Sequence, residues 1–255
     1  MLLFGAFFTT VGVYFTGNIF IGILCGISAG IILAVIHAIT VITFKANQIV
    51  SGIALNLLAF GFTKYLCKLI FNSSSNSERI IGVESINIPV LSSIPLLDNP
   101  FILLCIFAII LSHIYINKSK FGLRLSAVGE NPEAADTLGI NVVKVRYYGV
   151  IISGILSGLG GAWLALNQHS FTDGMSAGRG YIALAAMIIG KWRPAWAALA
   201  CLIFGFSESF TILFQETAIP TQFIQMLPYV VTIIVLAGFI GKSTPPAADG
   251  VPFEK

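Results

Sequence analysis

Charge is scarce in this sequence. Only 10% of its 255 residues are Asp, Glu, Lys or Arg and 56% are hydrophobic, whereas soluble domains carry about a quarter charged residues. That balance excludes an ordinary soluble domain and describes a polytopic membrane protein, with lipid as its solvent and no nucleic acid as its partner. Cysteine chemistry is also missing. Cys25, Cys67, Cys105 and Cys201 fall one apiece in separate apolar stretches with no C-x-x-C spacing, so they read as small packing residues and not as a disulfide or metal framework. His37, His113 and His169 are scattered over different stretches, which leaves no metal cluster. Gly241-Lys242-Ser243 looks like the end of a P-loop, but Leu236 stands where the first glycine is required. No Ser/His/Asp set or Gly-x-Ser-x-Gly elbow is present either. No cofactor, catalytic residue or nucleotide site of its own is expected, and transport or scaffolding outranks catalysis.

What the chain does have is apolar runs long enough to cross a bilayer core, which takes about 20 helical residues. Runs at 19–39, 49–71, 100–117, 147–167 and 195–214 fit that length, and 226–241 reads as a final span. Residues 1–16 look like a span entered midway. Residues 180–190 would make a helix only about 16 Å long, so they either borrow residues to cross or re-enter. The expected fold is an all-α membrane bundle of about seven spans over 1–241, with a Pro/Ala-rich tail, 242–255, expected to be disordered. Gly22, Gly26 and Gly30 recur every fourth residue, as do Ser153/Ser157/Gly161 and Gly154/Gly158/Ala162. Such rows clear helix faces for close packing. The basic residues orient the bundle. With the 118–146 loop inside, Lys45, Lys118, Lys120, Arg124, Lys144, Arg146, Lys191, Arg193, Lys242 and Lys255 are cytoplasmic, and only Lys64, Lys68, Arg79 and Arg179 lie outside.

The most polar island with clear helix punctuation is Gly129-Glu130-Asn131-Pro132-Glu133-Ala134-Ala135-Asp136-Thr137-Leu138-Gly139-Ile140. Asn131 suits an N-cap, Pro132 the first helical position and Glu133 the positive end of the helix dipole. Gly139 falls where a left-handed residue ends the helix. The spacing predicts a helix of about seven residues, 132–138, roughly 10 Å long. It is either a surface turn joining two spans or, with Ala134 and Ala135 offering little bulk, a place where another surface comes close. Two polar groups lie inside apolar runs, Asn56 and Glu208, and each must find a partner or a watery path.

The same loop resembles the cytoplasmic coupling loop of bacterial ABC-transporter permeases of the simple sugar, nucleoside and branched-chain amino acid branch. Lys45-Ala46-Asn47-Gln48-Ile49-Val50-Ser51-Gly52 with Ala54-Leu55-Asn56, Gly178-Arg179-Gly180-Tyr181-Ile182-Ala183, Gly190-Lys191-Trp192-Arg193-Pro194, Met226-Leu227-Pro228-Tyr229 and Pro245-Pro246-Ala247-Ala248-Asp249-Gly250-Val251-Pro252 are similar to the nucleoside-type permeases. The resemblance covers nearly the whole chain. It implies a permease subunit, not itself an enzyme, that works in the inner membrane with an ABC ATPase, a second related permease and an extracytoplasmic lipoprotein binding protein. Gly129, Glu130, Asn131, Pro132, Glu133, Ala134, Ala135, Asp136, Leu138 and Gly139 would then face the ATPase. Asn56, Trp163 and Glu208 are the candidates for the substrate path, on polarity and stacking capacity. In that family a further membrane segment precedes the residues matching Met1 to Phe8, so this chain is expected to begin late. A passive channel, or an intramembrane enzyme built on Glu208 with His37, are the other classes. Simple sugars, branched-chain amino acids and riboflavin are the other substrates.

Overall fold

Small residues spaced by four decide where this chain packs against itself. The structure, a computed structural model, describes residues 1–83, 99–213 and 243–254 with the single positions 226 and 230. Among them the regular elements are all helical, as expected, and β-pairing is confined to one isolated bridge between Asn76 and Thr172. In chain order the helices are α1 (Leu2–Thr16), α2 (Ile19–Ala38, continued by a π-helical turn Ile39–Thr43), α3 (Gln48–Phe71), α4 (Pro100–Lys118), α5 (Lys120–Glu130), α6 (Pro132–Thr137), α7 (Val142–Gln168), α8 (Arg179–Ile189) and α9 (Pro194–Leu213).

Local signals explain the breaks. Gly17 is left-handed (φ +65°) and closes α1, and Asn18 then caps α2 by accepting from the Phe20 N–H at 2.9 Å. Asn47 caps α3 in the same way, its Oδ1 accepting from the Ile49 and Val50 N–H groups at 2.9 and 3.2 Å. Among the described residues, four helical stretches are long and apolar enough to cross a membrane, all of them among the seven or so expected: Ile19–Thr43, Gln48–Phe71, Pro100–Lys118 and Val142–Gln168. Helices α1 and α8, with 15 and 11 residues, reach only about 22 and 16 Å, short of a core about 30 Å thick. Most of the expected final span, 226–241, lies outside the described residues.

The chain forms two compact units, one of Met1–Cys105, Leu123–Ala177 and Ala248–Lys255, the other of Ile106–Gly122 and Gly178–Ala247. The first is built on α1, α2 and α7. A Cβ on Gly5 of α1 would stand 2.9 Å from the Gly158 Cα, and one on Gly158 of α7 would stand 2.6 Å from the Gly26 carbonyl of α2. One on Gly154 would meet the Gly30 carbonyl at 2.8 Å. Only glycine allows three backbones to come this close. Of the two rows read on α7, Gly154/Gly158/Ala162 is buried throughout, whereas the other is buried only at Gly161, against α1: Ser153 is exposed and Ser157 turns its hydroxyl back onto the Ser153 carbonyl at 2.7 Å. The hydroxyls of the fully buried Thr9 and Thr10 donate to the Gly5 and Ala6 carbonyls one turn back, at 2.8 and 3.1 Å, so neither is left unpaired in an apolar core. In the second unit α8 and α9 pack through Ala186, Ala200 and Phe204, and the turn between them holds Lys191 and Trp192 at φ +51° and +60°.

Candidate functional site

The 129–140 island folds as its punctuation predicts. Asn131 is extended (φ −147°, ψ 92°), and its Oδ1 accepts from the Ala134 N–H at 3.0 Å. Helix α6 then runs for six residues with Pro132 first, and Leu138 is its C-cap, one residue short of the expected end. Gly139 follows at φ +79°. Its N–H donates to the Asp136 carbonyl at 2.9 Å and the Ile140 N–H to the Ala135 carbonyl at 3.0 Å. This pair of bonds is a Schellman closure, with the left-handed position filled by glycine. A Cβ on Gly139 would meet nothing within 4 Å, so a side chain there is opposed by the backbone conformation and not by a clash. Asn141 starts α7 at once, accepting from the Lys144 N–H at 3.0 Å.

The two alanines of α6 have different jobs. Ala135 is buried with Val128 of α5 and Val142 and Val145 of α7, and Ile140 packs on the same cluster. That seat fixes the helix. Glu130, Asn131, Glu133, Ala134, Leu138 and Gly139 are exposed, Leu138 with 80% of its surface free. A free leucine beside a free alanine, rimmed by carboxylates, gives a shallow apolar contact face with an acidic border. Gly129, Pro132 and Asp136 are half-buried behind it.

The residues expected along a path are dispersed. Trp163, 38% exposed on α7, lines a hollow of about 40 Å³ with Val83, Asn99, Phe101, Leu166, Asn167 and His169. That space holds water but not a nucleoside. Next to its His169 wall two segments are hydrogen-bonded together: the Ser77 N–H donates to the Phe171 carbonyl and the Phe171 N–H to Ser77 Oγ, both at 2.8 Å, and the Ile80 N–H donates to the His169 carbonyl at 2.8 Å. Lys64 reaches Asp173 at 3.3 Å on this side. Asn56 is exposed on α3 and bonds to no described residue. It lies in line with Ala59, Thr63, Cys67 and Phe71, but full burial on α3 begins only at Ala59, and the N-terminal half of the helix is left uncovered by its own chain. Glu208, read as a lone acid, has a partner: Arg179 at the start of α8 donates from Nη2 to Glu208 Oε1 at 2.6 Å. His37 is likewise engaged, its Nδ1 2.9 Å from Ser51 Oγ, which in turn lies 2.8 Å from Thr40 Oγ1. Glu208 and His37 therefore each have a structural partner, and the described residues contain no group of three or more His, Cys, Asp or Glu able to hold a metal.

Sequence reasoning missed Arg179, which stands 29 residues from Glu208, and it missed the tail. Residues 248–254 lie against the island: the Ala248 N–H donates to the Gly129 carbonyl at 3.0 Å, Arg146 Nη1 donates to the Val251 carbonyl at 3.0 Å, and Phe253 packs on the Ala135 cluster. No periodicity or cap in the sequence signals such contacts.

Residues 1–236 match the family described as the permease component of the branched-chain amino acid transport system. The chain is 41% identical to the guanosine ABC transporter permease protein NupQ of Bacillus subtilis over 92% of its own length and 77% of that protein's. It is also 41% identical to the nucleoside ABC transporter permease protein NupC of Lactococcus lactis, over 97% of its length and 81% of the relative's. A putative glucose ABC transporter permease protein of Haloferax volcanii, TsgC13, is 32% identical over 93% of this chain and 80% of its own. No solved structure matches. The resemblance carried by the 129–140 loop and the stretches around it thus extends along the chain, which belongs to this permease family and is a multi-pass membrane permease subunit of an ABC transporter.

Proposed function

We propose that this subunit carries nucleosides inward across a bacterial cytoplasmic membrane, driven by ATP hydrolysis in a partner ATPase. The observation that carries the substrate class is 41% identity to two permeases named for guanosine and nucleosides, over nearly all of this chain. Helix α6 is the ATPase-docking element: its open side offers Glu133, Ala134 and Leu138, its buried side is seated on α7, and Gly139 sets the exit of the chain. A push on α6 is thereby passed to a helix of 27 residues, about 40 Å long.

A second, related permease covers the N-terminal half of α3. That half carries Ile49, Ile53 and Leu57, all more than half exposed, with Asn56 among them. An amide facing lipid without a partner is costly, so a second chain or a watery path between the two chains is the better environment. Trp163 lines the substrate route where a binding protein, a lipoprotein, would deliver at the end of α7 opposite α6, and the hollow must widen for a base to stack there. Glu208 serves through Arg179, holding α8 to α9. The permease domain is 1–241, with about seven crossings once 180–190, 195–214 and 226–241 join the four long helices. A simple sugar is the second reading, favoured by the identity to the putative glucose permease.

Uptake of labelled nucleosides in cells carrying the whole transporter, with sugars, branched-chain amino acids and riboflavin as competitors, tests this. Nucleosides alone should compete. Competition by a sugar alone would select the second reading, and uptake that survives ATP depletion would mean a passive channel.

A further inference from the structure

The segment 248–254 has no part in the reading above, yet it touches three places at once. Its Ala248 N–H meets the Gly129 carbonyl at the entry to α6, and its Val251 carbonyl receives Arg146 at the base of α7, each at 3.0 Å. Phe253 is half-buried on the cluster of Val128, Ala135, Val142 and Val145. Glu254 lies 3.5 Å from Lys45 in the turn between α2 and α3. Gly250 and Pro252 wall a hollow of about 200 Å³ whose other side is Val41, Lys45, Ala46, Asn47 and Gln48. The segment begins after two prolines, Pro245 and Pro246, and a turn over 247–250; the prolines fix φ and so lower the entropy lost when the segment settles. The ion pair to Lys45 is exposed and contributes little. The backbone bonds and the phenylalanine are what hold it.

We propose that residues 248–254 are a brace for the coupling helix, with Phe253 as its positioning residue. The brace packs on the Ala135 seat and ties the entry of α6 to α7, so that motion imposed on α6 is passed to that span instead of being taken up between the two. This rests on the docking role proposed for α6.

The test uses the assembled transporter in proteoliposomes, reading substrate uptake and ATP hydrolysis in the same preparation. In Phe253→Asp, and in a chain ending at Pro246, uptake should fall about tenfold, the factor that goes with losing one partly buried aromatic anchor. The complex should be recovered intact, with ATP hydrolysis retained, and Phe253→Leu should restore uptake. Unchanged uptake in Phe253→Asp and in the shortened chain would overturn the brace. Failure of the complex to assemble, or hydrolysis falling in step with uptake, would overturn it too, since the segment would then serve folding and not transmission. A Gly139→Glu control separates the two proposals: loss of uptake in that control alone sinks the brace and leaves the docking helix, whereas normal uptake in the control sinks the docking role itself.

Discussion

Helix α7 ends in two differently built regions. At its N-terminus the turns of the α6 island are set by bonds between residues at most a few positions apart, Asn131 to Ala134, Gly139 to Asp136, Ile140 to Ala135 and Asn141 to Lys144, with the distant tail resting on them through Ala248 and Phe253. At its C-terminus the Trp163 hollow is lined from segments far apart in sequence, Val83 and Phe101 facing Trp163 and His169, and nearby Ser77 and Phe171 bond across 94 positions. A region closed locally keeps its shape when a neighbouring surface pushes on it. A region assembled from distant segments can open when those segments separate. A rigid handle at one end of a helix and an adjustable chamber at the other is a workable arrangement for a protein that must transmit force and admit a solute.

The contrast can be broken first at the helix itself. Gly158→Leu forces side-chain atoms into the backbones of α1 and α2, where even a Cβ would lie 2.6 Å from the Gly26 carbonyl. Overpacking against backbone costs at least about 1–3 kcal/mol, and both ends should be lost together, seen as absence of the protein from membranes by immunoblot. Gly160→Ala is the control and should accumulate normally, because the nearest atom to its Cβ is Leu2 Cδ1 at 3.8 Å.

A milder change touches one end only. Trp163→Ala should raise the KM for nucleoside uptake about tenfold, in the range of base-stacking losses on alanine substitution, with ATP hydrolysis and protein level unchanged. Trp163→Phe, which keeps a ring, should stay near the parent. If both variants lose uptake equally, Trp163 is a packing residue and the hollow is not on the path.

The smallest effect belongs to the other end. Asn131→Ala removes the acceptor for the Ala134 N–H and should cost about 1 kcal/mol of local helix stability, read as faster amide exchange confined to α6. Protection lost along α7 as well would mean that the island is not an independent local unit.

These differences also explain what could be read in advance. Asn131, Pro132 and Gly139 announce their conformation because caps act over a single turn, so α6 was legible to within one residue at its end. The glycine rows on α2 and α7 were legible as packing surfaces for the same reason, since spacing by four is a property of the helix alone. That Ala135 would be seated and Ala134 open was not legible, because it depends on where α7 lies. Arg179 as the partner of Glu208, Ser51 as that of His37 and Phe253 on the Ala135 cluster are tertiary pairings with no local signal. Asn56 misled in the opposite direction: an amide in an apolar run calls for a partner, but a single chain leaves the N-terminal half of α3 uncovered.

The most direct measurement of the central claim, that α6 couples a partner ATPase to nucleoside uptake, is labelled nucleoside uptake by the full transporter carrying Gly139→Glu. The substitution puts a charged side chain at a left-handed position with open space around it, so the fold should survive and the protein should reach the membrane in normal amounts. Uptake should nonetheless collapse to background. Normal uptake with the variant present at parental levels would contradict the claim.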